Sequence, residues 1–245
     1  MSPQILTKFV LDRAQKTFGL VGGTPTYDSI DSFQAPEVPA RTYQYSADGR
    51  LFAYAIPTGV RIFQAESAQL LQELTLPNVV EISFSPRGTY LSIWERPQKL
   101  EDGAQHKNLR VFSVSTGEEL VAFTQKSLEG WELQYTISES HAIRLVNQEI
   151  QVFRPAEWSK GVVDKLKVEG ATSITLSPGL NPSVAVFLAE KKVSQLALLH
   201  TVFSFRASGI VPLLHRLTAH DPSLHVLHFY APCTRGVLAR AHGLT

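Results

Sequence analysis

Val80-Glu81-Ile82-Ser83-Phe84-Ser85-Pro86-Arg87-Gly88-Thr89-Tyr90-Leu91-Ser92-Ile93-Trp94-Glu95-Arg96 is the stretch on which the fold turns. It reads as strand, tight turn, strand. The runs flanking Ser85-Pro86-Arg87-Gly88 alternate with period two and are rich in β-branched and aromatic residues, which favours strand over helix. Between them, Gly88 tolerates the positive φ that a tight turn demands. The unit then recurs. Tyr45-Ser46-Ala47-Asp48-Gly49, Tyr135-Thr136-Ile137-Ser138-Glu139 and Leu176-Ser177-Pro178-Gly179 repeat the apolar anchor and polar turn, and the anchors Tyr45, Phe84, Tyr135 and Leu176 lie 39, 51 and 41 residues apart.

A second landmark follows at a matching offset. Arg61-Ile62-Phe63, Arg110-Val111-Phe112 and Gln151-Val152-Phe153 place a phenylalanine 18, 28 and 18 residues after the anchor. The middle unit is therefore the same unit with about ten residues inserted, and the polar, turn-rich run from Arg96 to Lys107 is where they go. Three to four strands per unit of roughly 40 residues, repeated, describe a propeller blade. A β-sandwich of evenly spaced strands is the competing architecture, but sandwiches do not repeat such pairs at fixed offset. The fold class read here is all-β: a partial, WD40-like β-propeller of about four blades from a larger one. The blades are expected at about 42–76, 79–125, 131–168 and, incompletely, 171–192. Four blades cut from a larger ring leave two apolar faces bare, which predicts poor solubility for the isolated chain.

Bulk composition fits this reading. Of 245 residues, 44% are hydrophobic and 18% charged, which is ordinary for a soluble globular chain. No apolar run reaches the roughly 18 residues of a membrane-spanning helix, and Lys8, Asp12, Arg13 and Lys16 interrupt any signal-peptide core. A single cysteine, Cys233, excludes an intrachain disulfide and suits a reducing compartment, so cytoplasm is expected. The net charge of +1 is unevenly spread. Beyond Lys192 stand four arginines and one acid, which leaves 19 bases against 21 acids in residues 1–192, a balance of −2. A phosphate-gripping domain usually carries a basic face, so composition lends nucleic-acid binding no support.

The residues from Val80 to Arg96, and His106-Lys107-Asn108-Leu109-Arg110-Val111-Phe112 after them, resemble blade two of the eukaryotic translation initiation factor 2A family. Ser46-Ala47-Asp48-Gly49-Arg50-Leu51-Phe52-Ala53, Trp131-Glu132-Leu133-Gln134-Tyr135 and Val184-Ala185-Val186-Phe187 extend the resemblance over roughly residues 5–192. It implies a many-bladed N-terminal propeller. It also implies association with the small ribosomal subunit, initiator tRNA delivery, mRNA and other initiation factors, with no membrane. The family's RNA-directed contacts are associated with parts C-terminal to this stretch. The B subunit of initiation factor 3 shares the propeller type, but its N-terminal RNA-recognition module has no counterpart before the first blade here.

After Lys192 the pattern breaks. Residues 193–245 are expected to be an atypical, poorly ordered tail, rich in Leu and His, with six of the eight histidines at or beyond His200. Val193-Ser194 at the break is what a splice-donor hexamer encodes in frame, so translated intron is the expectation, with a lineage-specific extension as the other reading. Sequencing the gene across Lys192 and Val193 decides between them.

Few residues suggest chemistry. His220, His225, His228 and Cys233 lack the paired spacing of a zinc site. No Gly-x-Ser-x-Gly elbow, phosphate-cradling glycine loop or His-Glu-x-x-His occurs, so neither enzyme nor cofactor is expected. Trp94 and Trp131 read as packing between blades, whereas Trp158, in a polar connection, suits either packing or a partner. The best local candidate is the insertion, because loops on a rigid scaffold commonly carry recognition. There Arg96, Lys99, His106, Lys107 and Arg110 supply donors for phosphates or an acidic protein surface, although Glu101 and Asp102 in the same loop also fit a merely solvated hairpin.

Overall fold

The structure, a computed structural model of the chain, describes residues 10–13, 18–22, 28–100, 103–177, 182–188, 200–206 and 209–213. Strands β1 (Val10–Arg13) and β2 (Phe18–Val21) form a two-stranded hairpin. Four antiparallel sheets follow, each a simple meander with strands in sequence order. The first holds β3 (Thr42–Tyr45), β4 (Leu51–Ile56), β5 (Gly59–Gln64) and β6 (Gln69–Leu74). The second holds β7 (Val79–Phe84), β8 (Tyr90–Glu95), β9 (Leu109–Ser113) and β10 (Glu119–Phe123). The third holds β11 (Gln134–Tyr135), β12 (Ala142–Val146), β13 (Glu149–Phe153) and β14 (Asp164–Lys167), with a 3₁₀ helix, η1 (Pro155–Lys160), before its last strand. The fourth holds β15 (Ala171–Leu176), β16 (Ser183–Leu188), β17 (His200–Arg206) and β18 (Gly209–Leu213).

The anchor ends the first strand of every sheet, and a hydroxyl immediately after it closes the turn. Leu51 N donates to Ser46 Oγ at 2.9 Å, Tyr90 N to Ser85 Oγ at 3.0 Å, His141 N to Thr136 Oγ1 at 3.2 Å and Ser183 N to Ser177 Oγ at 2.9 Å. Small hydroxyl side chains favour such turns because they satisfy a backbone donor locally. Two of these turns place a glycine at positive φ, Gly49 at 72° and Gly88 at 73°; the third places Glu139 there at 58°.

The three landmark phenylalanines occupy one structural position. Phe63 pairs with Phe52, Phe112 with Leu91 and Phe153 with Ala142, each partner seven residues beyond its anchor. All three are buried and point toward the preceding unit: Phe63 into the cluster of Phe18, Phe33 and Tyr54, Phe112 into that of Ala53 and Ile62, and Phe153 into that of Val111. Burial of each is worth roughly 1.5–3 kcal/mol. In β4 and β8 both faces are covered, five of six positions being buried, whereas the outermost strand β6 is largely exposed. Core clusters run between successive sheets, through Leu74, Val79 and Ile93 from first to second and through Ile143, Val152 and Ile174 from third to fourth. Glutamines on the inner strands add polar ties: Gln44 Oε1 accepts from Phe84 N at 3.0 Å, and Gln134 Oε1 from Leu176 N at 2.6 Å.

Two expectations are corrected here. The face of the first sheet that precedes it in the chain is not bare. Phe18, Leu20 and Phe33 cover it and are themselves buried, with Phe18 stacking edge-on to Tyr54 at 5.1 Å. An aromatic cluster substitutes for a neighbouring blade by removing the same apolar surface from water. The fourth unit also does not stop incomplete at 192. Strands β17 and β18 complete its sheet, because His200-Thr201-Val202-Phe203-Ser204-Phe205-Arg206 and Gly209-Ile210-Val211-Pro212-Leu213 carry the apolar content of a strand pair. The other tail positions, 193–199, 207–208 and 214–245, lie outside the described residues, as do His220, His225, His228 and Cys233.

Candidate functional site

The meander fixes which loops share a face. Connections from second to third strand and from fourth strand to the next blade emerge on one side, so the insertion after Glu95 lies on the same face as the connection 124–133. The two are joined through Asn108, which is fully buried. Its Nδ2 donates to Glu95 O and to Gln125 O, both at 2.8 Å, and its Oδ1 accepts from Gln125 N at 2.9 Å. Trp94 Nε1 donates to the same Gln125 carbonyl at 3.3 Å.

Glu95 is the polar centre of this face. It is 3% exposed, and its two oxygens meet His106 Nε2 at 3.2 Å and Arg110 Nη1 at 3.5 Å. Burial pushes its carboxyl above the ordinary 4.5, a rise that Arg110 and His106 oppose. Arg110 also holds Glu119 through Nε at 2.8 Å and through Nη2, and its guanidinium lies 5.3 Å from the Phe112 ring. The five predicted contact residues thus divide. His106 and Arg110 turn inward onto the buried carboxylate, while Arg96, Lys99 and Lys107 remain exposed on the rim.

Two residues that the sequence did not single out organise the far side of the face. Arg144, 5% exposed, stacks 4.5 Å over Phe123 and donates from Nη2 to Thr124 O at 3.2 Å and Gln125 Oε1 at 3.3 Å. It pairs with no carboxylate among the described residues, and desolvation lowers its pKa to about 10. Gln125 spends its amide donors on Ser127 O at 3.0 Å and Glu129 O at 3.4 Å, which shapes the loop. An internal arginine partnered by one main-chain carbonyl and one side-chain amide oxygen leaves no local sequence trace; an isolated Arg on a strand reads as solvent-facing.

The shaped loop borders a cleft of about 660 Å³ between residues 125–134 and the start of β15. Leu128, Trp131, Leu145 and Ile174 supply its apolar lining, Gln125, Ser127, Gln134, Thr172 and Ser173 its neutral polar lining, and Glu129 and Glu132 its charges. The tryptophan question is settled toward packing: Trp94, Trp131 and Trp158 are 6%, 7% and 5% exposed. Trp158, carried inward by η1, meets Tyr90, Phe123, Tyr135 and Phe153 with ring centroids 5.6–6.5 Å away. Among the described residues, no group of three or more His, Cys, Asp or Glu is placed to hold a metal ion, and no helix is long and apolar enough to cross a membrane.

Four-stranded meanders packed face to face, with equivalent turns and equivalent buried phenylalanines, define a WD40-like β-propeller segment. The C-terminal WD40 domain of Sif2 shares this fold at a TM-score of 0.54 and 14% identity, over 82% of this chain and 55% of that one. No protein-family model matches the chain. Eukaryotic translation initiation factor 2A of Schizosaccharomyces pombe is 46% identical over 180 residues, which is 74% of this chain and 31% of that protein. A crystal structure of a eukaryotic initiation factor superposes at a TM-score of 0.73 with 42% identity, covering 81% of this chain and 48% of that one. The chain is a relative of eukaryotic translation initiation factor 2A, of whose length it spans less than a third.

Proposed function

We propose that this chain serves as a non-enzymatic scaffold of translation initiation in the cytoplasm. In this reading it docks on the small ribosomal subunit in support of initiator tRNA delivery, alongside mRNA and other initiation factors. The observation that carries the reading is the 46% identity to initiation factor 2A over 180 residues, supported by superposition of 81% of the chain on a solved initiation factor at a TM-score of 0.73. Arg96, Lys99 and Lys107 suit phosphate contact, since they are exposed on a loop that Asn108 and Glu95 root firmly. The test is co-sedimentation of the purified chain with small ribosomal subunits across 50–300 mM salt. Phosphate contacts predict that association weakens steeply as salt rises, and that Arg96→Gln/Lys99→Gln/Lys107→Gln reduces the slope by about three. Absence from the small-subunit fractions at low salt overturns the reading.

A second reading, a WD-type platform that binds proteins without an RNA role, is favoured by one observation. The cleft on the same face is lined by apolar side chains, neutral polar side chains and two carboxylates, with no basic side chain. Protein partners retained at high salt, without subunit association, would identify it.

A further inference from the structure

The cleft between residues 125–134 and β15 differs in kind from the basic rim. Apolar side chains line part of it, and among them Leu128 is 44% exposed. Its only charged lining groups are Glu129 and Glu132, both exposed, and neither forms an ion pair among the described residues. The loop that carries them is preorganised, because the Gln125 main chain is clamped by Asn108 and its side-chain amide holds Ser127 O and Glu129 O. A rigid wall lowers the ordering cost of binding. The arginine nearest this wall, Arg144, is buried and spends its Nη2 donors on Thr124 and Gln125, and it is not among the lining residues.

We propose that this cleft is a docking site for an extended segment of a partner protein in which a lysine or arginine stands beside an apolar residue. The apolar side chain covers Leu128 and Ile174, and the cation sits between Glu129 and Glu132. Charge decides the class of partner. A polyphosphate backbone would meet two uncompensated carboxylates, whereas a basic peptide meets complementary ones. The volume of about 660 Å³ is in the range that admits two or three side chains.

The probes are two dye-labelled, end-capped synthetic peptides, Leu-Arg-Leu-Arg and its acidic counterpart Leu-Glu-Leu-Glu, read by fluorescence anisotropy against the whole chain. The basic peptide is expected to bind and the acidic one not to bind. Glu129→Gln/Glu132→Gln should weaken the basic peptide about tenfold. Leu128→Ser should weaken it independently, while Glu66→Gln, on an exposed turn of the opposite face, should leave it unchanged. Thermal unfolding of each variant verifies that the fold is retained. Equal binding of both peptides, or an equal loss from Glu66→Gln, overturns the proposal. So does tighter binding of a poly(U) oligonucleotide that is lost in Leu128→Ser. Small-subunit co-sedimentation that persists in Glu129→Gln/Glu132→Gln separates this outcome from the fate of the rim.

Discussion

Replacing Asn108 with alanine tests the central claim about the candidate face, namely that one buried amide roots the insertion to the next blade. The side chain makes three hydrogen bonds of 2.8–2.9 Å from a fully buried position. Each is worth about 1 kcal/mol net, giving about 3 kcal/mol. Gln125 O keeps its bond from Trp94 Nε1, but the half-buried Gln125 N–H loses its acceptor, and an orphaned donor there raises the cost toward about 5 kcal/mol. For a chain of this size the midpoint of thermal unfolding should fall by about 6–20 °C. Asn108→Asp keeps an acceptor for Gln125 N–H but aims a carboxylate at two carbonyl oxygens, so it should be at least as damaging at neutral pH and milder in acid. Lys107→Ala, one residue away and exposed, should move stability by less than about 0.5 kcal/mol. Chemical denaturation of the three variants reads these differences. An Asn108→Ala unfolding free energy within about 1 kcal/mol of wild type refutes the reasoning.

The buried carboxylate of Glu95 has a pH signature. Its folded pKa lies above 4.5, so the folded form binds the proton more tightly than the unfolded chain, and its contribution to stability is lost as pH rises through that window. The stability of wild type relative to Glu95→Gln should therefore fall from pH 4.5 upward, and a rise over that range in urea titrations would contradict the assignment. Glu139 sits in the left-handed region where Gly49 and Gly88 occupy the equivalent turns, while its Oε1 accepts from Arg87 N of the neighbouring blade at 2.7 Å. Glu139→Gly should lose that bond but relieve roughly 1 kcal/mol of backbone strain, so Glu139→Ala should be about 1 kcal/mol less stable than Glu139→Gly. Equal denaturation midpoints would remove the strain argument. Gln134 makes two bonds to β15, to Ile174 O at 2.7 Å and from Leu176 N at 2.6 Å, where Gln44 makes one to the second sheet. Gln134→Ala should cost about 2 kcal/mol and speed amide exchange in residues 171–176, with Gln44→Ala costing about half as much. Exchange that is unchanged in β15 would show the glutamine tie to be incidental.

The turn and strand chemistry of the repeat was legible from local residues. Ser46, Ser85, Thr136 and Ser177 follow their anchors in the sequence, and each closes the same turn in space. Phe63, Phe112 and Phe153 were found at a fixed offset and prove equivalent, since period-two alternation assigns a face before any partner is known. The insertion after Glu95 followed from the same count. What could not be read was which charged residues the fold would use up. His106 and Arg110 look like surface donors in the chain but converge on Glu95, whose own place at the end of a strand says nothing of burial. Glu139 resembles a mutated turn glycine until its carboxylate is seen to reach Arg87, 52 residues away. Phe18 and Phe33, which lie outside every repeat, cover the first blade because apolar surface is indifferent to the origin of its cover. Sequence alone determined the module, whose hydrogen bonds and alternation are local. Tertiary structure alone decided the clamp, the cleft and the buried charges, because those depend on residues separated by blades and brought together only when the sheets pack.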